Sequence, residues 1–251
     1  MKPAEVTHVE SLGAAISDCR EDFEAVAKLL FRLLGNRRQC VKSLIETCED
    51  TSEEGDVRVL AMRFLAALRD QKSALRLIRI LEDSSEDIFI RDQASRAAAD
   101  MESVAAASQF LKLFTTSRDD VVRECSARAL GESISRAASK VLIAALSNVG
   151  ESLAVRLAVI EALGIARTRA ALPALLECLK DENVLIRGEA AWALGQLGDR
   201  RAEAALRKGL EDHELVPNYV TVSALCKEAL ESLSGPAPKR RKGARKSDVS
   251  R

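Results

Sequence analysis

Residues 171–206 read ALPALLECLKDENVLIRGEAAWALGQLGDRRAEAAL, and the spacing of their apolar residues decides the fold. Leu172, Leu175, Leu176 and Leu179 recur at helical intervals in the first half, and Ala190, Leu194 and Leu197 at intervals of four and three in the second. Each half therefore presents one apolar stripe of an amphipathic helix. Leu197-Gly198-Asp199 ends the second stripe as a helix C-terminus and turn. The stretch predicts a helical hairpin.

Working outward from Ile186-Arg187, the same aliphatic-Arg pair appears as Val155-Arg156, Val122-Arg123, Ile90-Arg91 and Val57-Arg58. From Arg58 onward the arginines lie 33, 32, 33 and 31 residues apart. Each opens a segment with small or apolar residues at +3, +7 and usually +10: Ala61/Leu65/Leu68, Ala94/Ala98/Met101, Ser126/Leu130/Ser133, Val159/Leu163/Ala166 and Ala190/Leu194/Leu197. A further unit, offset by an insertion around Pro217, supplies Cys226/Leu230/Leu233. Between these segments lie first helices such as Val41-Leu44-Ile45-Cys48, Leu75-Ile78-Leu81, Phe110-Leu111-Phe114 and Val141-Leu142-Ala145-Leu146. Helices this short cannot bury their stripes alone, so neighbours must stack. The expected class is all-α, a right-handed α-solenoid of about six hairpins. Aromatics at 3% and only 5 prolines agree with helix and starve any sheet.

A cation in the first turn of a helix opposes the helix dipole. Yet an acid precedes every arginine of the series: Asp56, Glu86 and Asp87, Asp119 and Asp120, Glu151, Asp181 and Glu182. The expectation is a structural ladder, each Arg reaching back to an acid of its own or the adjacent turn.

The motifs L-P-x-L-L-x-x-L-x-D, V/I-R and A-A-x-A-L-G-x-L-G-D in residues 171–206 resemble the short HEAT repeat of the phycobilisome-lyase-like class. The likeness is strong there, fair from Val57 to Ala170 and weak before Asp56. It implies an array over residues 56–234, with 1–55 a degenerate N-terminal cap. Residues 235–251, SGPAPKRRKGARKSDVSR from Ser234, bury almost nothing and are expected to be a disordered basic tail.

Chemistry finds little support. The histidines, His8 and His213, stand far apart, and none of the six cysteines (Cys19, Cys40, Cys48, Cys125, Cys178, Cys226) belongs to a C-x-x-C. Buried free thiols are expected. The HEAT-repeat iron enzyme deoxyhypusine hydroxylase uses several His-Glu pairs, whereas His213-Glu214 stands alone here. No zinc set or phosphate loop is present, so no catalytic residue, metal or cofactor is expected. No apolar run of 18 residues suggests a membrane span.

The resemblance implies that the second helix of each pair lines the concave surface. Position +5 from each Arg points away from the core stripe and gives Arg63, Arg96, Arg128, Glu161, Trp192 and Glu228. These six are the candidate partner-binding residues. A row of guanidiniums suits an acidic protein partner, while Asp92, Glu124, Asp100 and Glu132 lie close enough to neutralise it. The tail residues Lys239, Arg240, Arg241, Lys242, Arg245 and Lys246 form a second candidate contact, with weak, non-specific nucleic-acid binding as its chemistry. Ahead of the tail the chain is net acidic, 31 basic residues against 37 acidic.

The function expected is a non-catalytic scaffold or adaptor that holds a protein by its concave face. The alternatives are a subunit of a bilin lyase-type enzyme and an accessory nucleic-acid binder acting through the tail. The expected compartment is the cytoplasm, or the nucleus if the chain is eukaryotic and its tail serves import.

Overall fold

The structure is a computed structural model, and it describes residues 37–132, 135–148, 150–216 and 220–234. The expected capping helices up to residue 36 and the basic tail lie outside them. The chain divides into two compact units, 1–141 and 142–251.

In the first unit the helices are α1 (Arg37–Glu49), α2 (Gly55–Ala67), α3 (Ala74–Glu82), α4 (Ile88–Asp100), α5 (Val104–Thr116) and α6 (Asp120–Glu132). The unit boundary falls inside α7 (Arg136–Leu146). Pairs α1/α2, α3/α4 and α5/α6 form hairpins, and α2, α4 and α6 pack side by side as their second helices. The second unit holds α8 (Leu153–Ile165), α9 (Leu172–Cys178), α10 (Val184–Leu197), α11 (Glu203–Gly209) and α12 (Val222–Ser234). Here α9/α10 and α11/α12 are the hairpins, with α10 lying between α8 and α12. The all-α solenoid class holds: hairpin stacks on hairpin within each unit.

Local chemistry explains the helix starts. Asp87, Ser103, Ser152 and Asn183 each accept a backbone N–H of the first turn that follows, at Phe89, Ala106, Val155 and Leu185. Pro173 sits in the first turn of α9, where its missing N–H costs nothing. Gly198 closes α10 at φ 66°. The same left-handed position after α2, α4 and α8 is held by Arg69, Glu102 and Arg167, at φ 49°, 53° and 50°.

The 3-4-3 stripes are the core. Ala94, Ala98, Val159, Leu163, Ala190 and Leu194 are fully buried. Large fully buried residues come from both helices of the pairs: Phe110 and Phe114 on α5 and Leu77, Ile78 and Leu81 on α3 among the first helices, and Met62, Phe64 and Leu65 on α2 and Ile160 and Leu163 on α8 among the second. Two first-helix positions depart from the pattern: Leu75 and Leu210 are exposed. Five cysteines, Cys40, Cys48, Cys125, Cys178 and Cys226, are free and buried. Burial raises their thiol pKa, to about 12 at Cys48 and about 11 at Cys125 and Cys226.

Glycines inside the second unit's helices serve close approach. A methyl group on Gly195 would stand 2.9 Å from the Ala229 Cα of α12, and one on Gly164 would stand 3.0 Å from the Ala193 Cα of α10. The insertion ahead of α12 is a short antiparallel pair, β1 (Leu215–Val216) and β2 (Val220–Thr221). It seats Val216 on Gly188 of α10, where a Cβ would meet Val216 Cγ1 at 2.9 Å.

Candidate interaction surfaces

The arginines that open the second helices are turned inward. Arg58 and Arg91 are each 4% exposed. Arg58 donates from Nε to the Cys48 carbonyl at 3.0 Å and from Nη1 to Glu86 Oε2 at 2.9 Å. Arg91 repeats this with the Leu81 carbonyl at 2.8 Å and Asp119 Oδ2 at 2.5 Å. Arg123 donates to the Phe114 carbonyl at 3.1 Å, with its guanidinium 5.2 Å from the centre of that ring. Arg156 reaches Asp181 at 2.5 Å, and Arg187 reaches Asp212 at 2.7 Å and Glu214 at 2.6 Å.

The carboxylate that Arg58, Arg91, Arg156 and Arg187 each reach is therefore neither in the arginine's own turn nor in the adjacent one. It opens the next repeat, 25 to 28 residues on. The same acid organises its own turn. Asp119 accepts the Val121 N–H at 2.8 Å, Asp181 the Asn183 N–H at 2.9 Å and Asp212 the Glu214 N–H at 3.1 Å. Burial pushes the Asp119 and Asp181 carboxyls up, but the arginine and backbone donors outweigh it and hold both below the usual carboxylate range. At Asp212 the Arg187 hydrogen bond dominates and the direction is the same. Arg58, Arg91, Arg156 and Arg187 are inter-repeat clasps, leaving the outward edge of each second helix as the surface.

On that edge the first unit carries Arg63, Arg96 and Arg128 on α2, α4 and α6, at one position in three adjacent helices. Arg63 is exposed. Arg96 donates from Nε to Asp92 at 2.7 Å. Arg128 meets Glu124 at 2.6 Å and Asp92 at 3.9 Å. Asp92 is thus shared between two rungs, and the row is a comb of arginines with acids set between them.

The second unit differs. Glu161 on α8 and Trp192 on α10 are half-buried, and Glu228 on α12 is exposed. The Trp192 ring lies across onto α8, its Cζ3 2.9 Å from where a Cβ of Gly164 would stand. That contact explains its partial burial. One helical stripe groups Trp192 with Leu185, Glu189 and Gln196, and another groups Glu161 with Leu157 and Ile165, all half-buried.

Sequence reasoning missed these flanking residues, although their offsets of three and four from Glu161 and Trp192 contain them. It also missed Ile88 and Phe89, which are 63% and 54% exposed in the first turn of α4. His213 is exposed, its Nδ1 3.3 Å from Ser223 Oγ. Among the described residues no group of three His, Cys, Asp or Glu side chains could hold a metal ion, and no helix is long and apolar enough to cross a membrane.

The family model for HEAT repeats matches residues 41–131 and 139–226. No curated protein matches the chain. Among solved structures, human deoxyhypusine hydroxylase in complex with glycerol is similar at 24% identity, over 84% of this chain and 79% of that one, with a TM-score of 0.44. The complex of CpcE and CpcF of phycocyanin lyase from Nostoc sp. PCC7120 is similar at 19% identity, over 93% and 97%, with a TM-score of 0.42.

Proposed function

Because the chain belongs to the HEAT-repeat family, we propose that it is a non-catalytic scaffold that holds a protein partner on the outward edges of its second helices. The observation that carries this is a division of labour among arginines. Arg58 and Arg91 are consumed in the clasps, whereas Arg63 and Arg96 stand exposed at the next outward turn of the same helices. The first set is buried inside the fold, while the second set faces solvent, where a partner can reach it. Exposed i,i+4 pairs such as Arg96 with Asp92 contribute only about 0.3–0.5 kcal/mol.

The first unit's comb of guanidiniums fits an acidic protein surface, with bidentate pairing to carboxylates. The cytoplasm is the compartment this reading expects, since buried free thiols suit a reducing setting. Replacing Arg63, Arg96 and Arg128 together by Glu tests the surface. Partner capture from native lysate should be lost while the far-ultraviolet circular dichroism keeps its helical amplitude. Undiminished capture by the folded triple variant would refute the assignment.

A further inference from the structure

We propose that the starts of α2, α4 and α6 form a docking strip for a basic segment of a partner protein, anchored by an apolar side chain on Ile88 and Phe89. This contact is separate from the arginine row and does not depend on it.

The apolar pair is the first argument. Ile88 and Phe89 are the first two residues of α4, and they are 63% and 54% exposed. Ile90, the next in the run, is buried. It packs beside the start of α2, where a Cβ on Gly55 would stand 3.5 Å from the Ile90 Cδ1. The fold does not need large side chains at the two places before it. Counted back from the clasp arginine, α2 has Gly55 and Asp56 there, and α6 has Asp120 and Val121. A first helical turn favours acids, so α4 exposes two large apolar groups against the local preference.

Alignment is the second. Arg58 of α2 holds Glu86 just ahead of α4, and Arg91 of α4 holds Asp119 just ahead of α6. The two clasps set the three helix starts side by side, with the apolar pair on the middle one. Neighbouring helices lie roughly 8–10 Å apart, so the strip is roughly 16–20 Å long. About five or six extended residues cover that length.

Charge is the third, and it chooses the occupant. The turns at 53–56, 82–87 and 118–120 carry nine acids and one base, Arg118. Glu86 and Asp119 are matched in the clasps, and Asp83 and Asp87 accept backbone N–H groups of their own turns. Glu54, Asp56, Glu82 and Asp120 remain exposed, and Glu54 makes no side-chain cap bond at the N-cap of α2. A segment that brings Lys or Arg to this rim gains steering and pairing, and a guanidinium can lie over the Phe89 ring. An acidic segment would meet repulsion, and a purely apolar one would leave carboxylates desolvated.

Selection of displayed peptides tests this. A random dodecapeptide library on phage is panned against the immobilised full chain. Enriched peptides should be net positive, with several Lys or Arg and an aliphatic or aromatic residue. The strongest is then synthesised with a fluorescein label and followed by fluorescence anisotropy. Ile88→Ser combined with Phe89→Ser should weaken its binding at least about tenfold. Glu54→Gln, Asp56→Asn and Asp120→Asn together should weaken it and flatten its salt dependence. All these side chains are exposed or at the rim, so circular dichroism should keep its helical amplitude. The Arg63/Arg96/Arg128 variant should bind the peptide at least as well as the unaltered chain.

Absence of enrichment, or enrichment without a positive bias, would overturn the proposal. So would a peptide indifferent to the Ile88/Phe89 double variant, or one lost on the Arg63/Arg96/Arg128 variant, which would seat it on the arginine row. Self-association seen in sedimentation velocity and abolished by the Ile88/Phe89 double variant would give the strip to a second copy and end the proposal. The scaffold reading fails separately, if the Arg63/Arg96/Arg128 variant retains partner capture.

Discussion

The clasps make a quantitative prediction at Arg58. Its side chain is 5% exposed and that of its receiver Glu86 is 9% exposed, so the pair is almost desolvated. Arg58→Met keeps the methylene volume but removes three donations, one to the Cys48 carbonyl and two to Glu86. It leaves a buried carboxylate and a buried carbonyl without these partners. Breaking a buried pair from one side costs about 3–5 kcal/mol, because the surviving charge stays desolvated. The lost carbonyl bond lies within the same range of effects.

Adding Glu86→Gln removes the stranded charge, so the double variant should recover about half of the loss. The interaction energy from the cycle should then be about 1.5–3 kcal/mol, as expected for groups in direct contact. Arg96→Met on a neighbouring second helix removes an exposed i,i+4 pair and should cost under about 0.5 kcal/mol. Urea unfolding followed at 222 nm measures the wild type, the Arg58→Met and Glu86→Gln single variants, the double variant and Arg96→Met, with the transition of the first unit fitted separately if the units unfold apart. An Arg58→Met loss below about 1 kcal/mol, or one equal to that of Arg96→Met, would refute the clasp as a stabilising element.

Three further outcomes follow from the geometry. Gly195→Ala places a methyl 2.9 Å from the Ala229 backbone; the α10–α12 crossing must open, at about 1–3 kcal/mol, seen as a lowered urea midpoint. Glu102→Gly relieves a left-handed backbone at φ 53°; since an L-residue spends about 1–2 kcal/mol there and glycine loses part of that gain through its freer unfolded chain, the midpoint should rise by the equivalent of about 0.5–1 kcal/mol. Asp119, Asp181 and Asp212 have folded pKa values below the ordinary carboxylate value, so they stabilise the fold above about pH 4 and lose that contribution as pH falls further; urea titrations at pH 7, 5, 4 and 3 should show stability dropping only in the last two.

The hairpin period is legible in the sequence because it depends on contacts within one helix and its immediate partner. Spacings of three and four among Ala190, Leu194 and Leu197 need no knowledge of what lies 30 residues away. The clasps do. Every arginine has an acid just before it, so proximity along the chain suggests a local pair; Glu86, Asp119 and Asp181 in fact serve Arg58, Arg91 and Arg156 of the preceding repeats. Gly164 and Gly195 are illegible for a related reason. A glycine near the end of an apolar stripe looks like a terminator, while the structure uses both as notches for the next helix. The true terminators at Arg69, Glu102 and Arg167 carry no residue-type signal. Of the candidate edge, the six positions at +5 and the Asp92–Arg96 pair are recoverable from periodicity, but the sharing of Asp92 with Arg128 and the seating of Trp192 on Gly164 arise from inter-helix register.

The clasp also makes the chain tolerant of recombination. Donor and receiver occupy equivalent places in successive repeats, 28 positions apart for Arg58 with Glu86 and again for Arg91 with Asp119. Excision of residues 59–91 would set Arg58 the same 28 positions ahead of Asp119 that Arg91 now occupies. The splice would leave one complete lock where two stood before, with no orphaned charge. Duplication of that block would add a lock by the same arithmetic. A cut of another length at this place would move Arg58 off the 28-residue step to Asp119, so the carboxylate ahead of the second helix also acts as a proofreader of repeat length here.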